Sequence, residues 1–276
     1  MCCIMPRVER VSNTNLFARL TEQGQLLVYQ MTYMAKEPVA MILPIPVAQP
    51  AREDSVRFID LKGYPEFFRH LKAAFPEPPV SRSRSAFGPT ASAAPQALLR
   101  VESVGDFEAS FVPSPADFKR LDPRFKLPQS TFEKLPEYKD YGFVVFQFKE
   151  KDGTPHPMAF EFPTRLVNTL FYPTVHIHDG EIHEKESFDH SLYLQNGGNH
   201  GAASAGNAGK YVDAARTQGI VLGDAPLRRV IMRGTLPNTD TVLDTSKVTP
   251  ARTGWFGAGL GAALLGGYFF QKRRER

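Results

Sequence analysis

A strand–turn–strand segment that occurs twice constrains the fold of this chain more than any other feature of its sequence. The first copy covers residues 27–44 and the second covers residues 144–163. Both copies show the alternation of apolar residues that is typical of half-buried strands, and both end in proline. Residues that recur identically are Val28, Gln30, Pro38, Ala40 and Pro44, which match Val145, Gln147, Pro157, Ala159 and Pro163. We predict two β-hairpins related by duplication; two core strand pairs of one β-rich domain would give the same pattern.

The repeat divides the chain into two predicted lobes of an α+β, β-rich fold. The first lobe covers residues 1–80 and the second covers residues 98–236, and each is built on one proline-ended hairpin with one or two helices. Residues 81–97 are rich in proline and serine and predict a flexible crossing. Residues 237–253 are polar and predict a spacer. In the first lobe, apolar residues at a helical spacing predict a helix: Phe67, Phe68, Leu71 and Phe75.

Residues 254–270 form an uncharged run of 17 residues, which a basic tail follows at residues 271–276. A helix of that length spans about 25 Å, at the short end for a hydrocarbon core of roughly 30 Å. The run carries interfacial aromatic residues and closely spaced glycines, both typical of membrane helices: Gly254, Trp255, Gly257, Gly261 and Tyr268. We predict a single-pass C-terminal transmembrane helix whose partner is the lipid bilayer. A buried glycine-rich helix or hairpin is the alternative.

The basic tail predicts a cytoplasmic C-terminus and therefore an extracytoplasmic body. The N-terminus, MCCIMPRVER, has no apolar segment of the kind found in export signals. Either a leader is missing from the sequence, which we favour, or the chain is tail-anchored with its body inside the cell.

The net charge of +4 is concentrated at the C-terminus of the chain. Residues 272–276 carry +3 of it, so the body carries about +1 and nucleic acid is excluded as a partner.

Cys2 and Cys3 are the only cysteines in the sequence, which excludes a fold held together by several disulfides. Cys2 could become an N-terminal nucleophile once Met1 is removed. A vicinal disulfide, lipidated cysteines, or plain small residues near the terminus are the alternatives.

Several segments of this chain resemble a bacterial family of uncharacterised secreted or membrane-anchored proteins, and the resemblance rests on apolar residues and prolines. The resemblance lies in residues 15–17, 29–33, 40–47, 104–107 and 138–148, which include the proline-ended strand AMILPIPV. It implies an exported body, a C-terminal anchor and a leader that this chain lacks. The resemblance carries over no catalytic residue.

Four of the seven histidines lie between residues 176 and 190. Asp179-Gly180 predicts a two-residue hairpin turn within the segment 173–183. Strand alternation then places three imidazoles and one carboxylate on the same face: His176, His178, His183 and Glu181. Such a face could bind zinc or a similar divalent ion and leave one position open. A polar, solvated hairpin face without metal explains the same alternation.

The chain lacks a phosphate-binding loop and a GxSxG motif, because Gly209-Lys210 is followed by Tyr211 and no such serine motif occurs. Glu161 is predicted to face solvent, with a buried carboxylate as the alternative.

The function that the sequence favours is a membrane-anchored binding or interaction protein of the bacterial cell envelope with no recognisable active site. The alternatives are a divalent-metal-dependent enzyme that uses the histidine hairpin and an N-terminal cysteine hydrolase.

Overall fold

The fold is known from a computed structural model, which describes residues 2–5, 8–75, 99–122, 136–150, 152–177 and 181–246. The strands are β1 (Cys2–Met5), β2 (Arg10–Thr21), β3 (Gly24–Met34), β4 (Ala40–Ile45), β5 (Arg57–Asp60), β6 (Val101–Val104), β7 (Phe107–Val112), β8 (Gly142–Gln147), β9 (Asp152–Gly153), β10 (Met158–Phe162), β11 (Thr169–Tyr172), β12 (His176–Ile177), β13 (Lys185–Gln195), β14 (Ala202–Asn207), β15 (Pro226–Pro237) and β16 (Thr241–Asp244). One α-helix, α1, covers Phe67–Ala73. Short 3-10 helices cover Pro115–Arg120, Pro136–Tyr138, Ala208–Lys210 and Ala215–Thr217.

Two sheets contain most of these strands. The first sheet has the order β12-β1-β4-β8-β7-β6, and the second has the order β14-β15-β13-β2-β3-β10-β5, with β9 paired to β3. Strands β11 and β16 form a separate pair. Apolar side chains from the inner faces of both sheets make one core, which includes Tyr29 and Phe160 from the second sheet and Met41 and Phe146 from the first. The sheets therefore pack face to face around a common core.

The two repeated segments form strands but not hairpins. In each copy the two strands lie in different sheets, because the connection between them crosses the core instead of folding back. Strand β3 of the first copy pairs antiparallel with β10 of the second, and β4 pairs antiparallel with β8. In both pairs the first strand of one copy lies beside the second strand of the other copy, so the two pairs are equivalent. Segments of both predicted lobes thus share the same two sheets.

The predicted fold class is therefore wrong. The described residues form a mostly β two-sheet sandwich, not an α+β fold of two lobes each built on its own hairpin. The alternation of apolar residues records which face of a strand is buried, and it does not record which strand lies beside it.

The outer faces of both sheets are also covered. Helix α1 buries Phe67, Phe68 and Leu71 against the second sheet, as their helical spacing predicts. Segments around Phe118 and Tyr138 cover the first sheet. Because both faces are buried, β4 and β10 are buried along their whole length.

The prediction of a single-pass membrane protein with an extracytoplasmic body is corrected here. The predicted anchor, residues 254–270, lies outside the described residues. Within the residues that the structure describes, no helix is long and apolar enough to cross a membrane. Helix α1 has seven residues and a length of about 10 Å, whereas a spanning helix needs about 20 residues.

Candidate functional site

The second sheet divides at one end between two neighbouring parallel strands, β2 and β13. They pair from Asn15 with Ser191 to Arg19 with Gln195. Before these pairs, residues 10–14 of β2 and residues 185–190 of β13 have no backbone pairing with each other in the described part of the chain. We call this opening the fork. Its two edges belong to strands that stay paired on their outer sides, β2 with β3 and β13 with β15.

A β-bulge in β2 lies where the strands separate. The pairing of β2 with β3 passes from Ser12–Thr32 to Asn15–Gln30, so β2 contains one residue more than its partner over this interval. Asn13 adopts a left-handed backbone conformation with φ of 53°, which asparagine tolerates better than most residues. Bulges bend a strand and increase its twist. This bulge turns the first residues of β2 away from β13.

A carboxylate replaces the backbone ladder at the base of the fork. The backbone N–H of Asn13 donates to Oδ2 of Asp189 over 2.6 Å. The side-chain amide of Asn15 donates to the carbonyl of Asn13 over 2.7 Å and supports the same turn. The two strands therefore remain connected at this point by a side chain.

The pairing of β13 with β15 fixes which backbone groups point into the fork. The N–H of Asn238 donates to the carbonyl of Glu184, and pairs of this hydrogen-bonded kind recur at every second residue of an antiparallel ladder. The residues between them direct their N–H and C=O groups to the opposite side. In β13 these are Lys185, Ser187 and Asp189, so their backbone groups face the fork.

A cavity of about 370 Å³ occupies the fork. Its lining residues come from three places: Val8, Glu9, Arg10, Val11, Ser12 and Thr14 from the β2 side, Glu186, Ser187 and Asp189 from β13, and His176 from the first sheet. Thr14 is 1 % exposed, and its Oγ1 has no hydrogen-bond partner in the part of the chain that the structure describes. A hydroxyl buried in this way is an uncommon feature in a folded protein.

His176, which lines the cavity, contacts a second buried histidine, His190. Nε2 of His176 and Nε2 of His190 lie 3.0 Å apart, so one N–H donates to the other nitrogen. The His176 ring also stacks on Phe188 at 4.5 Å between centroids. The side-chain amide of Asn238 makes two hydrogen bonds with the backbone of His176. Its Oδ1 accepts the N–H of His176 over 2.7 Å, and its Nδ2 donates to the carbonyl of His176 over 2.9 Å. The side-chain amide of Asn238 thus acts as a strand partner at the edge of β12.

The structure does not bring the predicted metal ligands together as the hairpin register requires. His176 is buried, Glu181 and His183 are exposed and outside any strand, and His178 lies outside the described residues. Strand β12 pairs with β1, with Cys2 opposite His176, so His176 does not face His183 across a hairpin. In the described residues no group of three or more His, Cys, Asp or Glu side chains could hold a metal ion. The metal site and the Cys2 nucleophile remain predictions.

His190 was not predicted as the partner of His176. The two residues are fourteen positions apart, and they meet because β12 and β13 lie in different sheets. The alternation of Phe188 and His190 along β13 is the signal that could have placed His190 in the core.

Glu161 is buried, contrary to expectation. Its side chain is 9 % exposed. The carboxylate forms an ion pair with Arg57 at 2.6 Å and accepts a hydrogen bond from the hydroxyl of Thr21 over 2.8 Å. These contacts connect β10 with β5 and β2. The ion pair and the hydrogen bond account for the burial of Glu161 without any functional role.

A further buried histidine, His156, has a structural role that its position in the sequence did not indicate. Its Nδ1–H donates to the carbonyl of Pro157 over 3.2 Å, and its Nε2 accepts the N–H of Asp106 over 3.0 Å. Burial lowers the pKa of His156, and the hydrogen bond to Pro157 opposes part of this effect. Neutral His156 therefore holds the turn between β6 and β7.

The fold and the site together define a two-sheet β-sandwich protein whose second sheet opens into a fork with two strand edges. No family model matches this chain. The bacterial-family resemblance is accordingly neither supported nor refuted.

Among solved structures, the chain is similar to baculovirus P35, with 16 % identity, a TM-score of 0.47, and coverage of 88 % of this chain and 99 % of that one. It is also similar to a mutated baculovirus P35 after caspase cleavage, with 14 % identity, a TM-score of 0.44, and coverage of 84 % and 99 %. Both structures come from a virus and give no support to the predicted bacterial source. We infer neither the fold nor the function of this chain from likenesses with TM-scores below 0.5.

Proposed function

We propose that this protein binds an extended peptide segment, which pairs as an additional strand between β2 and β13. The observation that carries this proposal is the fork, in which two strand edges face each other without backbone pairing in the described residues. The proposal is a binding function, in agreement with the sequence-based prediction of an interaction protein.

Backbone groups supply the basis for such binding. A strand that is paired along one edge leaves every second N–H and C=O group available at the other edge. Peptides commonly bind proteins by adding a strand to an edge of this kind. In the fork, an inserted segment could use two edges at once.

The dimensions of the fork define the length of the segment. Residues 185–190 of β13 and residues 10–14 of β2 form the two edges. At about 3.3 Å per residue, five or six residues extend over roughly 17–20 Å. The edges are parallel, so an inserted strand would be parallel to both or antiparallel to both.

The first experiment is a selection of peptides with the full-length protein as the target. A displayed library of random dodecapeptides is selected, the strongest binder is synthesised, and its affinity is measured by calorimetry. Hydrogen–deuterium exchange is then compared with and without this peptide. We expect slower exchange in residues 8–14 and 184–190, and no change in residues 230–236 of β15, whose outer edge serves as an internal control.

Two opposed residues provide matched proline variants. Ser187 and Thr235 lie directly opposite each other in the β13–β15 ladder, in a pair whose N–H groups point away from each other. The proline of Ser187→Pro removes an N–H that faces the fork, whereas the proline of Thr235→Pro removes one that faces the outer edge. We expect Ser187→Pro to weaken the peptide about tenfold and Thr235→Pro to leave the affinity within about a factor of two.

The proposal does not depend on both variants folding. Peptides that are N-methylated at every second residue lose backbone donors and can be measured on the unchanged protein. Full affinity of the methylated peptides, unchanged exchange in the fork, or a library that yields no binder would each overturn the proposal.

A further inference from the structure

We infer that the cavity in the fork is a seat for an arginine side chain of the inserted strand. This inference rests on the proposed function, because it specifies the chemistry of the segment that the fork binds. It is carried by the charges that line the cavity and by one buried hydroxyl group.

Carboxylates predominate in the lining of the cavity. Glu9, Glu186 and Asp189 contribute three carboxylates, and Arg10 contributes one guanidinium. Glu186 is half-buried, and its carboxylate makes no hydrogen bond or ion pair within the described residues. A half-buried carboxylate without a partner favours a ligand that brings a positive charge.

Neighbouring cations neutralise these carboxylates only in part. Lys36 lies 3.6 Å from Glu9, but both side chains are largely exposed, at 86 % and 47 %. Arg233 is opposite Asp189 in the β13–β15 ladder, and no ion pair joins the two side chains in the described structure. Oδ2 of Asp189 accepts the N–H of Asn13, and its Oδ1 lies 3.8 Å from Nδ1 of His190. Negative charge therefore remains in the cavity.

The hydroxyl group of Thr14 is an independent sign of a polar ligand. Thr14 lines the cavity, and its Oγ1 is buried and has no hydrogen-bond partner among the described residues. A hydroxyl can accept a hydrogen bond from an N–H donor of the ligand while it donates its own hydrogen to a carboxylate. An apolar side chain in the cavity would leave this group without a partner.

The arrangement of the acceptors favours a guanidinium over a metal ion. The described residues contain no group of three acidic, histidine or cysteine side chains that converge closely enough to hold a metal. A guanidinium presents five N–H donors in one plane, so it can bond to acceptors that lie apart. A cavity of about 370 Å³ accommodates a long side chain.

A thermodynamic cycle tests this inference on the peptide obtained from the library selection. The arginine of the peptide is replaced by citrulline, which keeps the shape and removes the charge, and separately by lysine. Each peptide is titrated into the wild-type protein, the Glu186→Gln variant and the Glu22→Gln variant. Glu22 is an exposed carboxylate in the turn at the far end of β2, so its variant is the matched control.

We expect the selected peptides to share an arginine at one fixed position. Citrulline should weaken binding to the wild-type protein about 10- to 100-fold, and most of this difference should disappear in Glu186→Gln but persist in Glu22→Gln. Lysine should bind more weakly than arginine because it offers a point charge in place of a planar set of donors.

The outcomes separate this inference from the proposed function. If citrulline binds as well as arginine while exchange in residues 184–190 is still slowed, the arginine seat is wrong and peptide insertion stands. Equal affinity of lysine and arginine would also overturn the guanidinium assignment. If no selected peptide slows exchange in the fork, the proposed function itself fails, and this inference fails with it.

Discussion

Replacing Thr14 by valine should stabilise the protein, although it removes a polar group from the candidate site. Thr14 is 1 % exposed and its Oγ1 has no partner among the described residues, so the hydroxyl loses its hydrogen bonds to water on folding and gains none there in return. Valine has nearly the same shape and the same branching at Cβ. The substitution therefore removes an unfavourable contribution to folding without opening a space.

The size of the effect follows from the burial of this atom. Leaving a buried hydroxyl without a partner costs about 1–3 kcal/mol. At the lower end of this range, Thr14→Val should raise the free energy of unfolding by about 1 kcal/mol. With a urea dependence of about 3 kcal/mol per molar, the midpoint of unfolding would rise by about 0.3 M.

A second buried threonine provides the control. Thr217 is fully buried, but its hydroxyl donates to the carbonyl of Ala214 over 2.7 Å and accepts the N–H of Val221 over 3.2 Å. Thr217→Val should lower the free energy of unfolding by about 1–3 kcal/mol, because it breaks satisfied hydrogen bonds. Urea unfolding followed by circular dichroism measures both variants. A loss of stability in Thr14→Val comparable to that in Thr217→Val would refute the reasoning.

Three other predictions concern stability. Gly105 has φ of +59°, and a Cβ placed there would clash with the ring of His156, so Gly105→Ala should lower the free energy of unfolding by about 2 kcal/mol or more. Gly63 has open space around it, so Gly63→Ala should change the free energy of unfolding by less than about 0.5 kcal/mol. Burial lowers the pKa of His156, so the unfolded state takes up a proton first, and stability should fall as the pH drops below about 6.5. Unfolding measured from pH 8 to pH 5 should show a shallower loss in His156→Gln, and equal slopes would contradict this role. Arg57→Ala leaves the buried carboxylate of Glu161 without its cation and should destabilise by about 1–3 kcal/mol in urea unfolding; no change would show that the pair contributes nothing.

The sequence determined the local features of this protein. The alternation in the repeated segments correctly indicated strands, which are β3, β4, β8 and β10. The spacing of Phe67 and Leu71 correctly indicated helix α1. These features are readable because burial of one face imposes a period of two on a strand and of 3.6 on a helix, whatever the neighbouring element is.

The tertiary structure decided everything that depends on which elements are neighbours. The predicted hairpins failed because each copy of the repeat crosses between sheets. The histidine segment also passes from one sheet to the other, so His176 contacts His190. Periodicity contains no information about partners that are distant in sequence.

The candidate site lay beyond sequence reasoning for a related reason. A single extra residue at the bulge beside Asn13 separates β2 from β13, and the sequence around Asn13 carries no motif that announces it. The fork, its cavity and the buried hydroxyl of Thr14 exist only because two strands far apart in the chain are held side by side and then diverge. The sequence by itself thus determined which faces are buried, whereas the fold determined which edges stay open, because an open edge is defined by the absence of a neighbour.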